Sequence, residues 1–554
     1  MSTLSSLAAI CMPTGREVWP LMVSMAQCNA LNTVPDVSCL VDDDAGVGIA
    51  AFNDQGRCFF HDQGNRISVA FSGRITNRKE IMGRIRGKGT ISEDPDCAEI
   101  VACLYLERGT ACMAFIHGYF CFLLWDGRKN ELLAVRDHLG SYPLFYAKSR
   151  TGPLVVGNRI ATVMSTGLVS KNLDIEGIAH YLHDKSFLQP STPFRDVRSL
   201  PPGTFLRCFG DEHHIHRYYQ PSMRKEPMEE VEAIDQADAL LCTILEEQIA
   251  PFDRIGVCFS GGVDSLLIVA MLKSMTHKPI HTYTVCSQKD DGVSAFARES
   301  SRYFGTHQTM VEMDGCLIRD LLPDITSGYP TPAVGGWQIY LATRGIQSDG
   351  LNVGFSGHGA EISFGIDWHQ MKFAQIHALS RFLALIPLYA QRSFTSWLRR
   401  YLDRQDKGYN RKYGNLHLLC DYLEKRLGIY YWNSSRLTER MIADVFLQEI
   451  GEIKSVGDMY RQCYEDSRTE DFIDQMLFAR LVHFEGNHAQ GKNNYLAQHN
   501  GVELVLPFMD RRFLEFGLSI PNNLKTRRGE YKYLEALLSK TTPSPDMGQG
   551  KSIH

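Results

Sequence analysis

The fold of the second half of this chain is decided by FSGGVDS at residues 259–265. An apolar run at residues 255–259 leads into this stretch, and residues 266–272 continue it with the apolar content of a buried helix. The pattern predicts a strand, a tight turn and a helix start. Glycines let the backbone approach a ligand closely, and the N–H groups and dipole of a helix N-terminus favour an anion. The stretch therefore predicts a cradle for a phosphate group.

The loop has no Gly-Lys-Ser/Thr sequence of the Walker A type, and it carries Asp264 instead. A carboxylate at this position is suited to holding Mg²⁺ against bound phosphates. SGGVDS resembles the pyrophosphate-binding loop of the ATP pyrophosphatases, which cleave ATP to AMP and pyrophosphate. The alternative interpretation is an ordinary Gly-rich turn between a strand and a helix.

Composition limits the class of protein. The chain has 554 residues, 44% of them hydrophobic and 22% charged, which is typical of a globular protein of more than one domain. A net charge of −5 gives no reason to expect nucleic-acid or membrane binding. The 15 cysteines contain no C-x-x-C pair, and residues 1–14 lack the basic region of a signal peptide. We expect a cytoplasmic protein with reduced cysteines.

The sequence divides into two regions with different secondary-structure patterns. Residues 1–218 contain short strand-like runs, for example at 47–52, 66–71, 119–125 and 132–136. From residue 232, helical periodicity alternates with apolar runs at 255–259, 281–286 and 351–355, which predicts a parallel α/β sheet. Long helical segments dominate from about residue 370. We expect domains at 1–218 and 232–540 and a disordered tail at 541–554.

Three histidines, His213, His214 and His216, lie close together in the first region. Their spacing is compatible with metal ligands, but the sequence offers no second cluster of ligands to complete a site. We therefore expect a structural strand at this position.

Beyond the loop, the chain resembles the asparagine synthetase family over nearly its whole length. The resemblance rests on five ordered segments: FCFLLWD with VRDHLGSYPLFY at 120–146, LPPG at 200–203, FSGHGAEISFG at 355–365, GVELVLPFMD at 501–510 and GEYKYL at 529–534. It implies an N-terminal Ntn-hydrolase-like αββα sandwich, related to the type 2 glutamine amidotransferases. It also implies a C-terminal doubly wound parallel-sheet ATP-pyrophosphatase domain with added helices.

The N-terminal half departs from the family at its glutaminase residues. Ser5 stands where the family has its N-terminal cysteine nucleophile, and Cys11 is internal with unmatched neighbours. The glutamine-binding Asn-Gly-Glu segment ends here in Arg74, and Cys97 replaces a family aspartate. We therefore expect a domain that keeps the fold without glutaminase activity, so that the amine nucleophile belongs to the substrate.

Two kinds of relative use an amine already on the substrate: the lasso-peptide cyclases and the β-lactam synthetases. Lasso cyclases have His in a Gly-His-Gly context where β-lactam synthetases have Tyr and asparagine synthetases have Glu, and this chain has His358 there. The resemblance favours a lasso-peptide cyclase with a precursor peptide as substrate and a leader-binding protein and leader peptidase as partners. A β-lactam-type synthetase, a glutamine-dependent asparagine synthetase and a non-catalytic scaffold remain alternatives.

The resemblance also implies roles for single residues in two half-reactions, adenylation of a carboxylate by ATP and attack by an amine. Asp264 and Glu361 are expected to hold Mg²⁺. His358 is expected to accept a proton from the amine, or alternatively to shape its loop. Lys532 is expected to stabilise developing negative charge. The expected nucleotide contacts are Ser260, Gly261, Gly262, Ser265, Val285 and Gly357.

Overall fold

The structure is a computed structural model that describes most of the two predicted regions. The described residues are 6–12, 18–29, 37–52, 58–85, 91–148, 152–210, 212–287, 292–365, 374, 377, 387–405 and 456–525. Lys532 and the predicted tail at 541–554 lie outside them.

Among the described residues of the first region, twelve strands form two six-stranded antiparallel sheets. In chain order they are β1 (Ser6–Cys11), β2 (Val37–Asp42), β3 (Val47–Phe52), β4 (Phe59–Asp62), β5 (Ile67–Ile75), β6 (Gly118–Asp126), β7 (Glu131–Arg136), β8 (Phe145–Lys148), β9 (Leu154–Gly157), β10 (Val197–Ser199), β11 (Thr204–Phe209) and β12 (Glu212–Arg217). The first sheet has the order β10-β8-β9-β1-β3-β2 and the second has the order β12-β11-β7-β6-β5-β4. The histidine-rich segment forms strand β12, as expected.

The two sheets pack face to face, with helices on their outer faces. Alternate residues of each strand point to opposite sides, so that Leu7 and Ile49 enter the core between the sheets. Ala8 and Phe52 instead pack against the helix Trp19–Asn29. The second sheet is covered in the same way by the helices Arg78–Ile85 and Cys97–Arg108. These four layers confirm the predicted αββα sandwich.

In the described part of the second region, five parallel strands form one sheet. They are β13 (Ile255–Cys258), β14 (Ile280–Ser287), β15 (His307–Met313), β16 (Val353–Ser356) and β17 (Glu503–Val505), in the order β15-β14-β13-β16-β17. The strand order reverses between β13 and β16, and in open α/β sheets ligands bind at such a reversal, beyond the carboxyl ends of the strands. The loops after β13 and β16 are therefore placed at the expected ligand crevice.

Helices cover both faces of the parallel sheet, which confirms the doubly wound prediction. One face packs on the helices Glu230–Ile249 and Val263–Met275, and the other packs on Trp337–Ser348. The remaining helices described in this region are Gly292–Phe304, Gly315–Ser327, Ala360–Phe364, Leu388–Gln405, Val456–Asp466, Phe472–Ala479, the π-helical Arg480–Ala489, Gln490–His499, Arg511–Ser519 and Asn522–Lys525. Within the described residues, no helix combines the length and apolar character needed to cross a membrane.

A buried arginine ties the two regions together. The Arg136 guanidinium donates to the carbonyl oxygens of Tyr142 (3.0 Å), Leu200 (2.6 Å) and Gly140 (2.7 Å). It also donates to the Gly486 carbonyl oxygen (3.3 Å) of the second region. Gly486 fits closely here, since a Cβ on it would lie 2.4 Å from the Leu139 carbonyl oxygen. The first domain therefore supports the π-helical segment directly.

Replacing Arg136 is expected to destabilise the protein strongly. Arg136→Met keeps much of the volume but leaves several buried carbonyl oxygens without a donor, which costs about 3 kcal/mol. The thermal unfolding midpoint, measured by calorimetry, should fall by several degrees. Arg84→Met is the control, because Arg84 forms an exposed pair with Glu80 worth about 0.5 kcal/mol or less. Equal midpoints for the two variants would contradict this role of Arg136.

Candidate functional site

The loop after β13 forms the first wall of the site. Gly261 has φ of +77°, a left-handed conformation that glycine adopts without strain. The Ser260 hydroxyl accepts from the Gly262 N–H (3.3 Å), and the Ser265 hydroxyl donates to the Gly262 carbonyl oxygen (3.0 Å). The helix Val263–Met275 starts there without a side-chain cap. The loop thus has the form of an anion-binding helix start.

The loop after β16 forms the second wall and touches the first. Gly357 lies so close to the phosphate loop that a Cβ on it would be 2.6 Å from the Asp264 carbonyl carbon and 2.7 Å from the Ser265 nitrogen. Gly359 has φ of +95° and directly precedes the helix Ala360–Phe364. His358 lies between these two glycines and directly follows Gly357, which contacts the end of the phosphate loop.

His358 is one of four ionisable side chains at the site that contact one another in a row. Its Nε2 lies 2.7 Å from Oε2 of Glu485, which is 127 positions away in the sequence and fully buried. The other Glu485 oxygen accepts from Nε of Arg480 at 2.9 Å. Arg480 in turn forms an ion pair with Glu361. Glu485 and Arg480 both lie on the π-helical segment Arg480–Ala489, and such irregular turns often occur at functional sites.

The charges of Glu485, Arg480 and Glu361 determine the protonation of His358. Burial lowers the pKa of His358, but the Glu485 and Glu361 carboxylates together raise it more, so that the net pKa lies above the usual value. Burial raises the pKa of Glu485, but His358 and Arg480 lower it more, and Glu485 is ionised. The pair turns Nε2 toward Glu485, so Nδ1 is the ring nitrogen that this carboxylate does not engage.

The two predicted metal ligands, Asp264 and Glu361, lie at the two loops, and Glu361 already forms an ion pair. Asp264 is in the first turn of the helix Val263–Met275, next to Gly357. Glu361 is held by Arg480, so a cation at Glu361 would compete with that ion pair. Among the described residues no cluster of three or more acidic, His or Cys side chains is placed to hold a metal. This donor set fits Mg²⁺ bound through one or two carboxylates and substrate phosphates, as in many nucleotide sites.

Two further predicted residues have different outcomes. Val285 lies toward the carboxyl end of β14, beside β13, and is partly buried, which places it at the same edge of the sheet as the two loops. Lys532 lies outside the described residues, and its role stays a prediction. The sequence analysis missed Glu485 and Arg480, because no local pattern marks them and only the fold brings them to His358.

The residues that we compared with the family's glutaminase residues have structural roles in this fold. Cys11 ends the buried strand β1, and burial raises the pKa of the Cys97 thiol. Arg74 donates to Oε1 of Glu503 at 2.8 Å, which joins the first domain to strand β17. Ser5 lies outside the described residues. Arg74 thus serves as a contact between the two domains.

The fold and the two loops define a two-domain protein with an amidotransferase-like sandwich and an ATP-pyrophosphatase-like sheet. The family profile for asparagine synthase matches residues 236–540, and the profile for the glutamine amidotransferase domain matches residues 45–219. The chain belongs to the asparagine synthase family, which confirms the resemblance.

Curated relatives are distant. Amidase chry2 of Gibberella zeae is 25% identical over 342 residues, which cover 58% of this chain and 50% of that protein. Amidase chyE of Penicillium rubens is 24% identical, with coverages of 55% and 48%. The chain thus spans about half the length of these relatives. The glutamine-hydrolyzing asparagine synthetase 1 of Bacillus subtilis is 21% identical, with coverages of 84% and 72%.

A solved structure of a glutamine phosphoribosylpyrophosphate amidotransferase from B. subtilis matches with a TM-score of 0.28 and 12% identity. It covers 64% of this chain and 81% of its own. A likeness this weak supports no argument about the site.

Proposed function

We propose that this protein forms an amide bond within one substrate at the expense of ATP, releasing AMP and pyrophosphate. The substrate that we favour is a ribosomal precursor peptide, which the enzyme would close into a macrolactam as a lasso-peptide cyclase. The observation that carries the proposal is the His358–Glu485 pair beside the phosphate loop. A base poised next to an anion cradle is the combination that adenylation followed by amine attack requires.

In the first half-reaction, a substrate carboxylate oxygen attacks the α-phosphorus of ATP, and the bond to the leaving pyrophosphate breaks. The N–H groups at the start of the helix Val263–Met275 and the hydroxyls of Ser260 and Ser265 would bind the departing phosphates. Mg²⁺, when bound at Asp264, supplies charge neutralisation to those phosphates. Arg480 holds the Glu361 carboxylate in an ion pair.

In the second half-reaction, an amine attacks the activated carbonyl and the bond from carbon to the AMP oxygen breaks. Nδ1 of His358 would take the proton that the amine loses, because Nε2 is occupied by Glu485. The full negative charge on Glu485 stabilises the imidazolium that forms. Lys532 is proposed to stabilise the oxyanion, on the strength of its motif alone.

The N-terminal domain supports an amine that comes from the substrate. Arg74, at the place of the glutamine-binding glutamate, is committed to Glu503, and Cys11 lies inside a strand of the sheet. A leader-binding protein and a leader peptidase would accompany the enzyme in the cytoplasm. These partners and this location remain proposals.

The proposal is tested with the full chain, ATP, Mg²⁺ and a linear core peptide with an N-terminal Gly and an acidic residue several positions on, with the proposed partners added. Mass spectrometry should show loss of one water from the peptide, matched by AMP. Asp264→Asn should lower AMP formation at least about 100-fold, since it removes a charge facing the phosphates. Asp253→Asn is the matched control, because Asp253 is exposed in the same domain.

Other outcomes point to the alternatives. AMP formed on small amino acids with the peptide unchanged would favour a β-lactam-type synthetase. Release of ADP in place of AMP would overturn the proposal. Glutamine hydrolysis coupled to AMP formation would favour an asparagine synthetase activity.

A further inference from the structure

Lys492 is a buried cation on the helix Gln490–His499. The residue is 7% exposed, and its Nζ donates a hydrogen bond to the Val334 carbonyl oxygen (2.9 Å). Burial lowers the pKa of this ammonium to about 8, and no carboxylate among the described residues forms an ion pair with it. An ammonium has three N–H donors, and a buried charge is costly unless it is paired. Lys492 therefore has a charge and N–H donors that the described residues do not match.

The start of the helix Trp337–Ser348 lies directly beside this ammonium. Gly335 (φ +79°) and Gly336 (φ +88°) lead into the helix, which begins without a side-chain cap. The first N–H groups of a helix have no partner within it, and they favour an anion. A Cβ on Gly336 would lie 3.1 Å from Cε of Lys492, so the lysine side chain packs against this turn. The helix start and the ammonium thus present positive charge at one place.

The space next to Gly335 is open toward Lys492. Apart from the chain neighbours of Gly335, Nζ of Lys492 is the one atom of the described residues within 4 Å of a Cβ placed on this glycine, at 3.7 Å. The preceding residue, Val334, is 41% exposed, so solvent reaches this loop. A small group can therefore approach Nζ from the side of Gly335.

The contacts of strand β14 show which end of the sheet this helix starts from. Tyr283, in the middle of β14, has a ring carbon 3.1 Å from a Cβ placed on Gly345, near the end of the helix. Val285, toward the carboxyl end of β14, packs on the same apolar cluster as Trp337. The helix therefore begins at the carboxyl edge of the sheet, where the two loops of the candidate site lie. It covers the face opposite the helix Val263–Met275.

We propose that Lys492 and the start of the helix Trp337–Ser348 bind a carboxylate group of the substrate, other than the carboxylate that is activated. A carboxylate supplies the counterion of the ammonium and accepts hydrogen bonds from both Nζ and the first N–H groups of the helix. One lysine matches the single charge of a carboxylate, whereas the phosphates of ATP have their own cradle on the opposite face of the sheet. The carrier of the carboxylate rests on the proposed function, and the binding site itself does not.

The site is tested by a ligand-observed NMR titration of the full chain, without ATP, using N-acetylglycine as the probe. We expect saturable binding with a Kd on the order of 10 mM, as about eight non-hydrogen atoms allow. Lys492→Met keeps the apolar stem without the charge and should weaken binding at least about tenfold, and so should Lys492→Gln. Lys273→Met is the matched control, because Lys273 is exposed on another helix, and it should bind as the wild type does. Thermal unfolding checks that each variant folds.

Two further arms identify the ligand group. N-acetylglycinamide, which has no charge, should bind at least about tenfold more weakly than N-acetylglycine. ATP with Mg²⁺ should leave the Kd of N-acetylglycine within threefold. Equal binding of the neutral amide, equal binding by folded Lys492→Met and Lys492→Gln, or displacement of the probe by ATP would overturn the proposal.

A kinetic arm tests the carrier of the carboxylate. In the peptide assay of the proposed function, Lys492→Met should raise the KM for the peptide at least about tenfold and leave kcat within threefold, because the contact holds the substrate away from the reacting atoms. An unchanged KM would overturn the assignment to the substrate. If the wild type does not convert the peptide but binds N-acetylglycine through Lys492, the proposed function fails and the carboxylate site is supported.

Discussion

Gly357→Ala is expected to lower the rate of carboxylate activation on the order of 100-fold while leaving the protein folded. The added methyl would lie 2.6 Å from the Asp264 carbonyl carbon and 2.8 Å from its Cβ, and real Cβ atoms are not found closer than 3.0 Å to such neighbours. The loop after β16 must therefore move away from the phosphate loop. A misplacement of this size at a reacting centre costs on the order of 100-fold in rate.

The measurement for Gly357→Ala is substrate-dependent exchange of labelled pyrophosphate into ATP, with thermal unfolding as a check on folding. Gly83→Ala is the matched control, since nothing lies within 4 Å of its added Cβ in the helix Arg78–Ile85. That control should exchange at the wild-type rate and be slightly more stable. Exchange by Gly357→Ala within threefold of wild type would show that the two loops do not act together.

Glu485→Gln is expected to shift the pH dependence of amide formation to lower pH and to lower its maximum. His358 accepts a proton only when it is neutral, so the wild-type rate should rise with pH through a pKa above about 6.5. Without the Glu485 charge, only Glu361 still raises the His358 pKa against burial and Arg480, and the rising part of the pH profile should move down by about one unit. The maximum rate should fall about 100-fold, because the imidazolium loses its counterion.

The two half-reactions separate this role from a structural one. In Glu485→Gln, pyrophosphate exchange should stay within threefold of wild type, because it precedes the proton transfer, while amide product falls. Glu515→Gln, which removes an exposed partner of Arg511, is the control and should leave both unchanged. If the pH dependence of amide formation is the same in Glu485→Gln as in the wild type, His358 is not the proton acceptor.

Much of the fold could be predicted because its central strands are mostly short runs rich in apolar and β-branched residues. The predicted runs at 47–52, 255–259, 281–286 and 351–355 became strands β3, β13, β14 and β16 with small changes at their ends. Strand β17 is three residues long and forms only by pairing with β16, and β15 mixes polar and apolar residues at the sheet edge. Neither has a pattern strong enough to predict alone.

Only those parts of the candidate site that lie within a single short segment could be predicted from the sequence. The phosphate loop and His358 lie in short motifs, whereas Glu485 reaches His358 from a distant helix. Other residues of these motifs have structural contacts: Arg136 joins the domains, and Asp510 caps the helix Arg511–Ser519. A motif thus marks membership of the family without distinguishing support from chemistry.

The most direct test of the proposed function follows the nitrogen of the new amide bond. The full chain is incubated with ATP, Mg²⁺, the core peptide and its partners, and glutamine labelled with ¹⁵N in its side-chain amide, and the product is analysed by mass spectrometry. The account predicts a peptide lighter by one water, without ¹⁵N, and one AMP per product. A product that contains ¹⁵N, with glutamate formed in equal amount, would contradict it.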